Sequence, residues 1–192
     1  GQARSGKDTV ASMVEDILKE EVPELDVHQD AFANRLKVSA AHALGFKFDT
    51  IEEYREWSDR IKSNAVIQVV LPESPYRRPV DIIQEISGRE FLQFYGTEAH
   101  REVFDPEFWV KSLLDDPPEC GLLIITDVRF PNEAEAIREM GGEIWEIYRP
   151  ETTTPASHAS EEPLSAELLD FQITNDGSLD ELKEQVSELL DG

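Results

Sequence analysis

The sequence predicts an α/β domain built on a mainly parallel sheet, and three observations carry that prediction. Short apolar segments alternate along the chain with segments of helical period, the pattern of strand–helix–strand units. GLLIIT at 121–126 is an unbroken apolar run, as in strands buried on both faces. Residues 1–7 match the spacing G-x-x-x-x-G-K directly before a periodic stretch, which is a loop opening a helix. A chain of 192 residues, 40% of them apolar, suits one domain with a sizeable core.

Taken in order, residues 7–21 (KDTVASMVEDILKEE) place Val10, Met13, Val14, Ile17 and Leu18 at helical spacing, and Pro23 ends that helix. Residues 25–32 (LDVHQDAF) read as a short strand, and 34–45 (NRLKVSAAHALG) as a helix closed by Gly45. From 48 to 118 the pattern is mostly helical, acidic and interrupted, with Pro72, Pro75 and Pro79 in an irregular middle. Phe91, Phe94 and Tyr95 are the expected core residues there. After the strand at 121–126, residues 131–140 (PNEAEAIREM) open with proline, which suits a first helical turn. EIWEIY at 143–148 alternates like a strand, and FQIT at 171–174 is the last one. NDGSLDELKEQVSELL then offers turn residues, a serine cap and a terminal helix. No internal repeat or low-complexity stretch interrupts this order. The loop at residue 1 should follow a central strand, so a further strand of about 5–6 residues is expected upstream of Gly1.

Charge narrows the partners. Forty-one acids against eighteen bases leave −23. Such a surface repels nucleic acid and anionic membrane, so neither is an expected partner. No apolar run has the length needed to cross a bilayer, and no charged-then-apolar leader opens the sequence; the expectation is a cytoplasmic protein. Cys120 is the single cysteine, which excludes an internal disulfide and a cysteine-cluster metal site. The acidic surface has two readings. It is either that of an ordinary soluble acidic protein, or an adaptation to a salt-rich cytoplasm, where screening relieves self-repulsion.

The residue types of GQARSGKDT (1–9) match the chemistry of holding a triphosphate. Gly1 and Gly6 let successive backbone N–H groups turn inward around an anion. The following helix offers its positive end to the same phosphates. Lys7 is a mobile point charge for the β- and γ-oxygens. The position after the lysine is Asp8 rather than Ser or Thr, so the hydroxyl near Mg²⁺ falls to Thr9, or Asp8 acts on the metal through water. Arg4 lies inside the loop, either as a built-in arginine finger or as a surface arginine. The bland alternative for the whole motif is a glycine-bounded turn before an amphipathic helix.

Two further clusters bear on function. Asp127 ends the apolar run at 121–126, and ligands gather at the carboxyl ends of parallel strands. There it can hold Mg²⁺ through water or accept a proton; alternatively it only caps the next helix. Arg129 follows as a candidate phosphate clamp. SGREFLQFYGTEAHREVFDPEFWVK (87–111) holds Arg89, Gln93, Thr97, Glu98, Arg101, Trp109 and Lys111. Amides and hydroxyls for base edges, an aromatic face and arginines for phosphate are what a nucleotide site needs.

These elements together resemble one family, the phage-type deoxynucleoside monophosphate kinases. The shared elements are RSGKDT (4–9), Ala33, Leu36 and Lys37 of an A-x-x-L-K element, and Leu92, Gln93, Gly96, Thr97 and Glu98 of LQ-x-x-GTE. FWVK (108–111), Asp127, Arg129 and Glu133 of D-x-R-x-x-x-E, Gly141 and Gly142, Arg149 and Pro150, and ITNDGSLDEL (173–182) continue the match. The 48–85 stretch matches poorly. The resemblance implies a three-layer, adenylate-kinase-like P-loop fold over 1–192. Within it, 46–118 would be a helical monophosphate-binding insertion and 128–140 a lid-like segment. It implies the reaction ATP + dNMP → ADP + dNDP with Mg²⁺. Gly1, Arg4, Gly6, Lys7, Asp8, Thr9 and Arg149 would bind ATP, and Lys7, Arg4, Asp127 and Arg129 would serve catalysis. Lys37, Arg60, Arg89, Gln93, Gly96, Thr97, Glu98, Arg101, Trp109, Lys111, Asp127, Arg129 and Glu133 would line the acceptor site or lid. Asp8, Thr9 and Asp127 are the candidate metal ligands, partly through water. His158 matches a family position of no derivable role, and a loop histidine without function is its alternative. Small-molecule nucleotides are then the expected partners, a homodimer is a candidate assembly, and a viral protein would work in its host's cytoplasm. The rivals are a small-metabolite kinase of the phosphomevalonate or dephospho-coenzyme A type, and a nucleotide-binding module without turnover.

Overall fold

The computed structural model describes residues 5–63, 66–71, 82–150 and 164–191. Their order is α1 (Lys7–Glu21), β1 (Val27–Asp30), α2 (Phe32–Ala43), α3 (Ile51–Ser63), β2 (Val66–Leu71), β3 (Ile82–Ser87), α4 (Gly88–Gly96) and α5 (Phe108–Leu114). Then come β4 (Leu122–Ile125), α6 (Pro131–Glu139), β5 (Trp145–Tyr148), β6 (Phe171–Thr174) and α7 (Leu179–Leu190). A π-helical segment, Thr97–Glu102, continues α4. Chain contacts divide the protein into two units, Gly1–Phe32 with Val110–Gly192, and Ala33–Trp109. No helix among the described residues is long and apolar enough to cross a membrane.

In the first unit, β1 runs parallel to β4, with Asp30 opposite Ile125, and β5 runs parallel to β6, with Ile147 opposite Ile173. The predicted helix at 7–21 forms because Val10, Ala11, Val14 and Ile17 make one apolar stripe. That stripe meets Ile147 and Ile173 of the β5–β6 pair and Leu182 and Val186 of α7 in a single core. Each large side chain so buried contributes about 1.5–3 kcal/mol. α7 starts at Ser178, whose hydroxyl accepts the Glu181 N–H while Glu181 accepts the Ser178 N–H. The apolar run at 121–126 becomes β4, but its four residues are each half-buried rather than covered on both faces. Among the described residues β4 pairs on one edge only, with β1, which limits that cover.

The second unit corrects the mostly helical reading of 48–118. β2 and β3 form an antiparallel pair, with Ile67 opposite Ile86. Runs this short and rich in Val and Ile carry a strand preference that an acidic, proline-interrupted neighbourhood obscures. Ile67 and Ile86 pack with Ala40, Ala41, Trp57, Ile61 and Phe91. Ser87 caps α4 through a reciprocal pair with Glu90. Phe91 and Tyr95, four apart, share a face in this core, whereas Phe94 is 49% exposed, contrary to its expected burial. It sits about 100° around the helix from Tyr95.

Candidate functional site: the phosphate loop and a π-helical segment

The first unit carries the residues expected to form the phosphate loop. Gly1 and Arg4 lie outside the described residues, as does His158. Ser5 and Gly6 lead straight into α1. Gly6 is left-handed at φ 100°, a conformation that glycine adopts at little cost. Among the described residues no side-chain hydrogen bond caps α1 at Gly6, and the first N–H groups of a helix are those that a ligand or water can take. The Ser5 hydroxyl is buried and has no hydrogen-bond partner among the described residues. Lys7 is half-buried, Asp8 and Thr9 are exposed, and the Lys7 ammonium stands 3.7 Å from the Asp8 carboxylate. Open helix N–H groups, an orphaned hydroxyl and a lysine on one turn fit a triphosphate.

Asp127, just past β4, accepts the Phe32 N–H at 2.8 Å through Oδ1. Asp30, at the end of β1, accepts the Ala31 N–H at 2.7 Å. Two acids from neighbouring parallel strands thus take the N–H groups where α2 begins. Asp127 takes an N–H at the start of α2. Asp30 is not among the residues that the sequence motifs single out; its signal is an acid at a strand end directly before a helix. Around α6 the work falls to Glu133, which is 2% exposed and accepts the Arg129 N–H at 2.7 Å and the Phe130 N–H at 3.0 Å. Glu133, expected to line the acceptor site or lid, thus ties down the backbone that leads into α6. Arg129, Lys111 on α5 and Arg149 after β5 are exposed.

The second unit carries the remaining candidates. Lys37 on α2 is half-buried, with Nζ 3.4 Å from the Asn34 side-chain oxygen, which also accepts the Tyr54 hydroxyl. Arg60 in the last turn of α3 and Arg89 in the first turn of α4 are exposed. Gln93, Thr97, Glu98 and Arg101 are half-buried. Thr97, Glu98 and Arg101 belong to the π-helical segment, a form frequent at functional sites. The Arg101 guanidinium donates to the Pro106 carbonyl at 3.3 Å.

Beneath that segment lies an aromatic support. The Trp109 indole N–H donates to the Gly96 carbonyl at 2.9 Å, and its ring is 2% exposed. Trp109 therefore underpins the segment, where sequence reasoning expected an open stacking face. The His100 ring lies 4.3 Å from Tyr95, 4.8 Å from Phe108 and 5.1 Å from Trp109 between centroids. Its Nδ1–H donates to the Tyr95 carbonyl, and the Tyr95 hydroxyl shares a hydrogen bond with Ser39 at 2.9 Å. Gly96 has a packing reason for its identity, since a Cβ there would stand 2.1 Å from Leu36 Cδ1.

The family model of deoxynucleotide monophosphate kinase matches residues 36–186. The chain is similar to the deoxynucleoside-5'-monophosphate kinase of Escherichia phage T5, 27% identical over 220 residues that cover 91% of this chain and 87% of that protein. It is 31% identical over 127 residues to the deoxynucleotide monophosphate kinase of Escherichia phage RB69, covering 63% of this chain and 52% of that protein. The enzyme of the same name from Enterobacteria phage T4 is 33% identical over 124 residues, covering 60% and 52%. The chain spans about half the length of these last two relatives. With the family model matched over most of its length, the chain belongs to the deoxynucleotide monophosphate kinase family.

Proposed function

We propose that this chain transfers the γ-phosphoryl group of ATP to a deoxynucleoside monophosphate, giving ADP and a deoxynucleoside diphosphate. Members of this family phosphorylate nucleoside monophosphates, and this chain is such an enzyme. The observation that carries the reading of the donor site is the left-handed turn at Gly6, which opens α1 with no side-chain cap hydrogen bond among the described residues.

The acceptor phosphate is already a nucleophile, so little covalent chemistry falls to the protein. Its task is to align donor and acceptor and to neutralise charge as it develops. Lys7 serves the β- and γ-oxygens, with Arg4 and Arg129 as further cations. Thr97, Glu98 and Arg101, held on the π-helical segment, are the acceptor-binding group, with Lys37, Arg89 and Gln93. No essential general base is needed. Among the described residues no three His, Cys, Asp or Glu side chains form a metal cage. Mg²⁺ typically keeps several waters and binds through one or two carboxylates plus substrate phosphates, so Asp8, Thr9 and Asp127 fit it as a partner of ATP. Bound that way, it would neutralise the β- and γ-oxygens.

The fold that goes with this reading is the three-layer P-loop arrangement of adenylate-kinase-like enzymes. The setting is the cytoplasm in which nucleotides are made, a host's if the source is viral.

The test is incubation with ATP, Mg²⁺ and a panel of deoxynucleoside monophosphates and phosphorylated metabolites, with products separated by anion exchange. Formation of ADP and at least one deoxynucleoside diphosphate is expected. Phosphorylation of a metabolite alone would replace the acceptor assignment, and ATP binding without any product would make the chain a binding module.

A further inference from the structure

Asn175 follows β6, among the turn residues of the ITNDGSLDEL element. Its side-chain N–H donates to the Ser5 carbonyl at 2.8 Å, joining positions 170 apart. The orientation of the amide follows from its partner, because a carbonyl can only accept. The same nitrogen explains why residue 6 is glycine. A Cβ at Gly6 would stand 2.4 Å from Asn175 Nδ2, on a residue whose φ of 100° side chains rarely adopt.

Asn175 is itself firmly held. Its backbone N–H donates to the Tyr148 carbonyl at 2.8 Å, at the end of the parallel β5–β6 pair. The preceding residue, Thr174, is gripped on both sides by Gln185 of α7, whose Oε1 accepts the Thr174 N–H and whose Nε2 donates to the Thr174 carbonyl. Ile173 and α7 belong to the buried core of the unit. The side chain therefore reaches the loop from a rigid base.

The geometry of one peptide plane turns this contact into a functional one. In a trans peptide the C=O and the following N–H point in opposite directions. By holding the Ser5 oxygen, Asn175 aims the Gly6 N–H away from itself, at the start of the row of N–H groups that opens α1. A loop fixed in that shape does not need ordering when an anion arrives, and ordering cost subtracts from affinity.

We propose that Asn175 is a positioning residue for the phosphate loop: its grip on the Ser5 carbonyl, beside a Gly6 that leaves room for it, keeps the loop preorganised for the triphosphate. The proposal rests on the reading of residues 5–9 as the triphosphate loop. It assigns Asn175 to ATP affinity and not to the acceptor.

The test uses Asn175→Ala and Asn175→Leu, the second filling a similar volume without a donor. Calorimetric binding of adenylyl imidodiphosphate and KM for both substrates are measured, with melting followed in parallel. The expected result is ATP affinity weakened about tenfold, as for one lost hydrogen bond to a preorganised loop, with KM for the deoxynucleoside monophosphate unchanged. Unaltered affinity for the ATP analogue in a folded variant overturns the proposal. So does a parallel rise in both KM values, which would mark a general structural role. Should either variant fail to fold, Asn175→Ser, which keeps turn-forming character but is too short to reach Ser5, carries the same expectation. Lys7→Ala separates the two levels. If it binds the analogue as the wild type does, the phosphate-loop reading itself fails. If Lys7→Ala loses binding while the Asn175 variants keep it, only the present proposal fails.

Discussion

The Phe32 backbone N–H donates to Asp127 Oδ1 at 2.8 Å across 95 positions of sequence. One carboxylate at the end of β4 thus anchors the start of α2, at the strand ends where ligands of parallel sheets gather. The two roles can be separated by substitution. Asp127→Asn keeps an acceptor for Phe32, and its stability should stay close to that of the wild type. Asp127→Ala loses the cap and should cost about 0.5–2 kcal/mol in urea unfolding. If Asp127 also acts on Mg²⁺ through water, both variants should lose about 10–100-fold in turnover. Full activity in a folded Asp127→Asn would leave the residue a cap alone.

Lys7 is half-buried on the first turn of α1, and among the described residues its ion-pair partner is Asp8 at 3.7 Å. Lys7→Ala should therefore melt like the wild type while losing about 10²–10³-fold or more in turnover, as when a preorganised electrostatic group is removed. Near-normal turnover would refute its assignment.

Gly88 and Gly96 permit close packing in the second unit but with different neighbours. A Cβ at Gly88 would stand 2.0 Å from the Ile61 carbonyl oxygen, which is backbone; one at Gly96 would meet Leu36 Cδ1 at 2.1 Å, the end of a flexible side chain. Overpacking costs about 1–3 kcal/mol. Gly88→Ala should lie at or above the top of that range and Gly96→Ala near its bottom. The urea midpoints of the two variants give the order, and a reversal would overturn this packing account.

The cap of α7 should report on pH. The Ser178 backbone N–H, and then its hydroxyl, hold the Glu181 carboxyl below its ordinary pKa. A depressed folded-state pKa gives stability that is present above the ordinary value, roughly 4.3 for glutamate, and lost as pH falls through the lower folded one. The melting difference between wild type and Glu181→Gln should be steady near neutral pH and should shrink in acid. A difference that grows in acid would contradict the assignment.

A net charge of −23 predicts that stability rises with potassium chloride from low to molar concentration, as screening relieves repulsion. A melting temperature that falls or stays flat over that range would leave the acidic surface without a link to salt.

Local pattern made much of this protein legible in its sequence. The stripe of Val10, Val14 and Ile17, the proline at the start of α6 and the Ser178–Glu181 cap depend on residues within a turn or two of one another, and the spacing of Gly6 and Lys7 depends on the chain immediately around it. The β2–β3 pair was less legible, because six-residue runs carry too few periods to separate strand from helix. What only the tertiary structure decided is which distant groups meet. Asp127 finds Phe32, Asn175 finds Ser5, Trp109 spends its N–H on Gly96, and Glu133 is drawn under its own turn. Residue type declares a donor, an acceptor or a charge, whereas its partner is set by how strands and helices bring the chain back on itself. Most buried polar groups are paired, and the fold determines with what.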